Sequence, residues 1–124
     1  MEHELSALYD IAHGAGLAIL TPAWMEYVYS ENRPMFVQFA INVMGVQGGF
    51  REPEAIVREG ISRLRVFFDS IGLPATLTDV GIGTEKLEYM AKKSTKAEYG
   101  CENPIGGIKP LYWQDVLAIY KSIA

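Results

Sequence analysis

Residues 53–72 carry the pattern that most constrains this fold. Pro53 and Glu54 open the stretch, placing a proline and a carboxylate at the positive end of a helix dipole. Ile56, Val57, Ile61, Leu64, Phe67, Phe68 and Ile71 then recur at helical spacing. Gly72 closes the stretch, and Pro74 prevents its continuation. An apolar stripe this long must be covered by other elements. No segment of the chain shows sustained period-two alternation, so the cover is expected to be helical too.

Proline and glycine punctuate the rest in the same way. Thr21-Pro22 reads as a helix start, followed by Ala23 to Glu31 and a break at Asn32-Arg33-Pro34. Phe36, Phe39, Ala40, Val43 and Met44 give the next segment one apolar face before Gly45 and the Gly48-Gly49 pair. A polar turn at Thr78-Asp79-Val80-Gly81 precedes a start at Thr84-Glu85, and Leu87, Met90 and Ala91 line the helix that runs before Gly100. A final helix is expected from Trp113 to Ile123, with Val116, Leu117, Tyr120 and Ile123 inward. The chain of 124 residues is long enough to bury one core, so the expectation is a single all-α helical bundle domain over residues 1–124.

Composition excludes several functions. The net charge is −4 and no block of Lys or Arg occurs, so no nucleic-acid partner is expected. Lys92, Lys93 and Lys96 read as a solvated helix face. Cys101 is the only cysteine, which rules out an intrachain disulfide and suits a reducing compartment. The acidic start Met1-Glu2-His3-Glu4 and the lack of a long apolar run give no sign of a secretory leader or membrane span, so a cytoplasmic protein is expected.

The chemistry concentrates at the start, in the run from His3 to Gly14. On one straight helix two histidines ten residues apart would lie about 15 Å apart along the axis, too far to share an ion. Either they do different jobs or the helix breaks between them; Gly14-Ala15-Gly16 offers a break just beyond His13. Two ordinary, partly buried histidines are the plainer reading of the spacing alone. Gly81-Ile82-Gly83 and Gly14-Ala15-Gly16 lack a preceding strand, so neither is expected to cradle phosphate. Trp24, Tyr27, Trp113 and Tyr120 read as packing aromatics.

The run HELSALYDIAHGAGLAIL from His3 to Leu20, with Thr21-Pro22-Ala23-Trp24-Met25 after it, closely resembles the signature region of the iron-containing alcohol dehydrogenases, butanol dehydrogenase branch. The likeness continues through Phe36 to Ala40, through Gly60 to Leu77, and into the closing Gly106-Gly107 and Asp115-Val116 segments. It implies the C-terminal helical domain of such an enzyme, with a dehydroquinate synthase-like fold. In that family an N-terminal nucleotide-binding domain packs against the helical one, with a divalent metal, iron or zinc, in the cleft. The resemblance implies reversible hydride transfer between NAD(P)H and a primary alcohol or aldehyde, in a homo-oligomer.

Residue by residue, the resemblance makes His13, which precedes Gly14, a metal ligand, and His3 the histidine assigned to proton handling. Glu4 and Asp10 could orient either ring, although a first-turn carboxylate and a helix-end residue are the plainer readings. The family's other three ligands would all lie ahead of Met1. A chain truncated inside its motif is therefore expected, with neither tight metal binding nor activity from these residues by themselves. A stand-alone binding or regulatory module, or one subunit of a split dehydrogenase, are the alternatives. The first should have made its cleft wall polar, whereas an enzyme domain should expose an apolar or histidine-bearing wall.

Overall fold

The computed structural model describes residues 1–124, the Glu98 side chain excepted. Among the described residues there are six α-helices: α1 (Glu2–Tyr9), α2 (His13–Val28), α3 (Arg33–Asn42), α4 (Pro53–Ser70), α5 (Leu87–Ser94) and α6 (Trp113–Ser122). Three short 3-10 turns, Tyr29–Glu31, Thr78–Val80 and Ala97–Tyr99, connect them, and the described residues include no strand. The only bridge among these residues pairs Ile105 with Leu111. The all-α expectation holds. Among the described residues no helix is long and apolar enough to cross a membrane.

α2 is the central helix, packed on α1, α4 and α6, while α3 lies along α4 and α5 along α6. Its Ala18, Ile19, Leu20, Ala23, Met25 and Val28 are all buried. That arrangement corrects the expected start at Thr21-Pro22, because the helix begins at His13 and carries Pro22 inside it. An interior proline costs about 3 kcal/mol or more. Here the ring is itself buried, and the packing of a helix covered on several sides outweighs the local signal. Asn32 does cap α3, its side chain accepting from the Met35 amide.

α3 stops two residues earlier than its apolar pattern suggests. Val43 lies beyond the helix and is 68% exposed, whereas Phe36 and Ala40 are buried. Gly45, at φ +70, lets the chain turn back so that the Val46 amide donates to the Ala40 carbonyl at 3.0 Å and Val46 is buried instead. Ala40 also explains Gly60: a Cβ there would meet the Ala40 Cβ at 2.6 Å and its Cα at 3.0 Å. The α3–α4 crossing is close because residue 60 has no side chain.

α4 matches its expected limits, but its stripe is buried only in part. Ile56, Val57 and Ile61 are in the core, while Phe67 and Ile71 are more than half exposed. α6 starts at Trp113, with Asp115 accepting from the Tyr112 amide at 2.9 Å, so a carboxylate two residues inside the helix serves where a hydroxyl cap is missing. Its buried face is Val116, Ile119 and Tyr120, with Leu117 half-buried. Ile82 of the Gly81-Ile82-Gly83 run lies in the core, so that run does packing work.

Candidate metal centre

The histidines meet because the chain reverses between them. α1 ends at Asp10, whose backbone is left-handed at φ 52 and whose amide donates to the Ser6 carbonyl at 3.0 Å. Asp is one of the few side chains that adopts this conformation at modest cost. Ala12 is extended, and α2 starts at His13. The break thus falls at residues 10–12, ahead of His13 and not at Gly14-Ala15-Gly16, which lies within α2. The reversal lays the first turn of α2 beside the first turn of α1.

His3 and His13 are stacked there, with ring centroids 5.6 Å apart and planes 18° from parallel. Glu2, on the same turn as His3, turns inward: its side chain is 5% exposed, against 58% for His13. One carboxylate oxygen, Oε2, is hydrogen-bonded to His13 Nδ1. The other, Oε1, accepts from the Ser6 hydroxyl at 2.5 Å. One ligand atom from each of Glu2, His3 and His13 can be chosen so that all three lie within 4.8 Å of one another.

These groups stand at the wall of a cavity of 370 Å³ whose remaining lining is largely apolar, including Leu17, Leu20, Trp24 and Leu111. Met1 also lines it; burial lowers the pKa of its amino group, partly opposed by the charges of Glu4 and Glu2. The Met1 carbonyl accepts from the buried Tyr120 hydroxyl at 2.7 Å. Burial, then the charges of Glu4 and Glu2, push the pKa of that hydroxyl upward. Trp24 packs edge-on against Phe36, and Tyr27 donates to Asp115, so these aromatics hold the helices around the cavity.

Of the acids weighed from sequence, both take their plainer places, Glu4 in the first turn of α1 and Asp10 at its end, and neither touches a histidine. Glu4 faces Lys93 at 3.8 Å, and Asp10 is an exposed helix-end residue. The carboxylate that touches a histidine is Glu2, which the sequence reading passed over as part of an acidic start. Its signal is three-dimensional: a buried carboxylate needs partners for both oxygens, and while Ser6 on the same helix serves one, only the chain reversal brings His13 to the other.

Residues 1–124 match the Fe-containing alcohol dehydrogenase family, C-terminal. The chain is 48% identical over 122 residues to NADH-dependent butanol dehydrogenase A of Clostridium acetobutylicum, covering 98% of this chain and 30% of that protein. It is 39% identical over 122 residues to the probable NADH-dependent butanol dehydrogenase 1 of Bacillus subtilis, again covering 98% and 30%. Its fold is similar to the crystal structure of NADH-dependent butanol dehydrogenase A from Thermotoga maritima, at 39% identity and a TM-score of 0.84, covering 99% of this chain and 31% of that one. The chain thus spans under a third of the length of the relatives it matches. With the match running from the first residue to the last, the chain belongs to the Fe-containing alcohol dehydrogenase family, as its C-terminal helical domain.

Proposed function

We propose that this chain forms the helical, metal-facing side of the active-site cleft in an NAD(P)H-dependent dehydrogenase that interconverts a primary alcohol and its aldehyde. The observation that carries this reading is the meeting of His3 and His13 at the wall of a largely apolar cavity. Exposure of His13, with Leu17 42% exposed beside it, is the histidine-bearing wall expected of an enzyme domain; an adapted stand-alone module would present a polar one.

The residue types fit a divalent transition metal. Imidazole suits iron or zinc, and His13 presents one here with His3 and the Glu2 carboxylate gathered beside it. His13 is assigned as the ligand and His3 to proton handling, both from the family resemblance. A bound metal would supply Lewis-acid polarisation of the substrate oxygen. The chain's own work is to place the donors and move a proton. A neutral imidazole accepts at one ring nitrogen and donates at the other, which lets His3 pass the hydroxyl proton between substrate and solvent. Leu17, Leu20 and Trp24 offer an apolar wall to the alkyl chain and help exclude water.

No residue of this chain is assigned to the nicotinamide, which the nucleotide-binding part of the enzyme would hold. The relatives, NADH-dependent butanol dehydrogenases by name, favour NADH and a four-carbon alcohol. The assembled enzyme is expected to be a homo-oligomer.

The test is to supply the chain with the N-terminal region of the Clostridium acetobutylicum relative and follow NADH consumption with butyraldehyde. Turnover should appear, and His3→Ala should lower kcat by about 10²–10⁴-fold. An assembled, metal-loaded pair that gives no turnover, while the relative's own C-terminal region does, would overturn the reading.

A further inference from the structure

We propose that Glu2 is a positioning residue that fixes the tautomer and orientation of His13, and that Gly16 is the space this carboxylate requires. The inference deepens the reading of His13 as a metal ligand and rests on it. Glu2 is the buried acid of the α1–α2 corner, whereas Glu4 is 16% and His13 58% exposed at the side chain. A buried carboxylate is tolerated only when its oxygens are satisfied. Both are: Oε2 faces His13 Nδ1, and Oε1 takes the Ser6 hydroxyl. An ionised carboxylate can only accept, so Nδ1 of a neutral His13 must carry the proton. Its Nε2 then keeps the free lone pair, the form that binds a metal. Stacking on His3 adds a contact to the face of the same ring.

Gly16 completes the set. A Cβ at residue 16 would lie 2.5 Å from Glu2 Oε1 and 2.6 Å from its Cγ. Gly14 is different, since a Cβ there meets nothing within 4 Å. The Gly14-Ala15-Gly16 run is therefore no phosphate cradle; its second glycine is a niche for a side chain from the neighbouring helix.

The chain has only two histidines, so long-range proton–nitrogen correlations on 15N-histidine-labelled protein report the tautomer of each, with His3→Gln giving the assignment. At a pH where both rings are neutral, His13 should be in the Nδ1–H form. Glu2→Ala should shift it to Nε2–H. Glu2→Gln should keep Nδ1–H, because the amide oxygen still accepts while its NH₂ donates to Ser6, whose hydroxyl can turn to the Ile11 carbonyl 3.2 Å away. Gly16→Ala should act like Glu2→Ala, and Gly14→Ala should leave the tautomer unchanged; this pair decides the matter if Glu2→Ala does not fold.

Zinc titrated into the same samples separates the two readings. Glu2→Ala should weaken zinc binding about 10–100-fold, and His13→Ala should abolish what binding there is. An Nε2–H tautomer in the unaltered chain, or a tautomer indifferent to both Glu2→Ala and Gly16→Ala, overturns the positioning role. Equal loss of zinc in Glu2→Ala, Glu2→Gln and His13→Ala, without a tautomer shift, also overturns it by making Glu2 a ligand. Zinc binding indifferent to His13→Ala refutes the ligand assignment alone and leaves the tautomer result standing.

Discussion

α4 and the α1–α2 corner are both helical, but they are ordered by different means. α4 is set by its own sequence: Pro53 starts it, Gly72 follows its end, and Ile56, Val57 and Ile61 face the core at helical spacing. The corner is set by contacts between residues distant in sequence. Glu2 reaches His13 eleven positions away, Ser6 holds the same carboxylate, and Gly16 leaves room for it. In α4 each side chain contributes its own burial. In the corner, one misplaced atom disturbs a carboxylate, a histidine and a hydroxyl together, because a partly satisfied buried polar group costs more than a lost apolar contact. The half of the molecule that carries the chemistry is therefore the half whose order is least local.

The largest expected effect tests the local side of this contrast. Ile61→Ala should lower stability by about 2–5 kcal/mol, as other buried Ile to Ala changes do. Phe67→Ala, six residues along the same helix but 52% exposed, should fall within about 0.5 kcal/mol of the parent. Urea denaturation of the two variants measures both. Similar losses would mean that the outer end of α4 is covered after all.

Gly16→Ala and Gly14→Ala probe the corner in the same way. The first adds a Cβ where Glu2 already sits and should cost about 1–3 kcal/mol, while the second adds one into open space and should not lower the melting temperature. Two equal shifts would break the claim that the corner is organised around Glu2.

Smaller effects come from the links that tie α2 to its neighbours. The hydrogen bond from Tyr27 to Asp115 raises the pKa of the Tyr27 hydroxyl from its ordinary 10.0 to about 12. A raised folded-state pKa means that this stabilisation is fully present below pH 10 and is lost as the pH climbs through about 12. Tyr27→Phe should remove that part of the alkaline limb in a stability–pH profile. Just past the same end of α2, the Tyr29 hydroxyl and then Arg58 lower the pKa of Glu54 below its ordinary 4.5. This contribution is present above pH 4.5 and fades as the pH falls through the lowered value, so Tyr29→Phe should flatten the acid limb slightly.

The same contrast explains what could be read from the sequence. Helix α4, the terminator at Gly45, and the start of α6 at Trp113 follow from periodicity and from glycine and proline chemistry, all local properties. Pro22 misled because its placement depends on how completely α2 is covered by α1, α4 and α6, which no window of sequence contains. Phe67 and Ile71 continue a clean stripe yet stay exposed, because periodicity says which face a residue shares and not whether anything covers it. At the site, His3 and His13 were visible through their resemblance to a family motif. Their approach needed the turn at Asp10, and Glu2 needed both that turn and Gly16.

The account depends on His13 and His3 having different jobs at one cleft. Iron and zinc bound per chain, measured by mass spectrometry in the chain joined to the nucleotide-binding region of its Clostridium acetobutylicum relative, test this directly. The account predicts that His13→Ala loses the metal and that His3→Ala keeps it while turning over slowly. A full complement of metal in His13→Ala would contradict it.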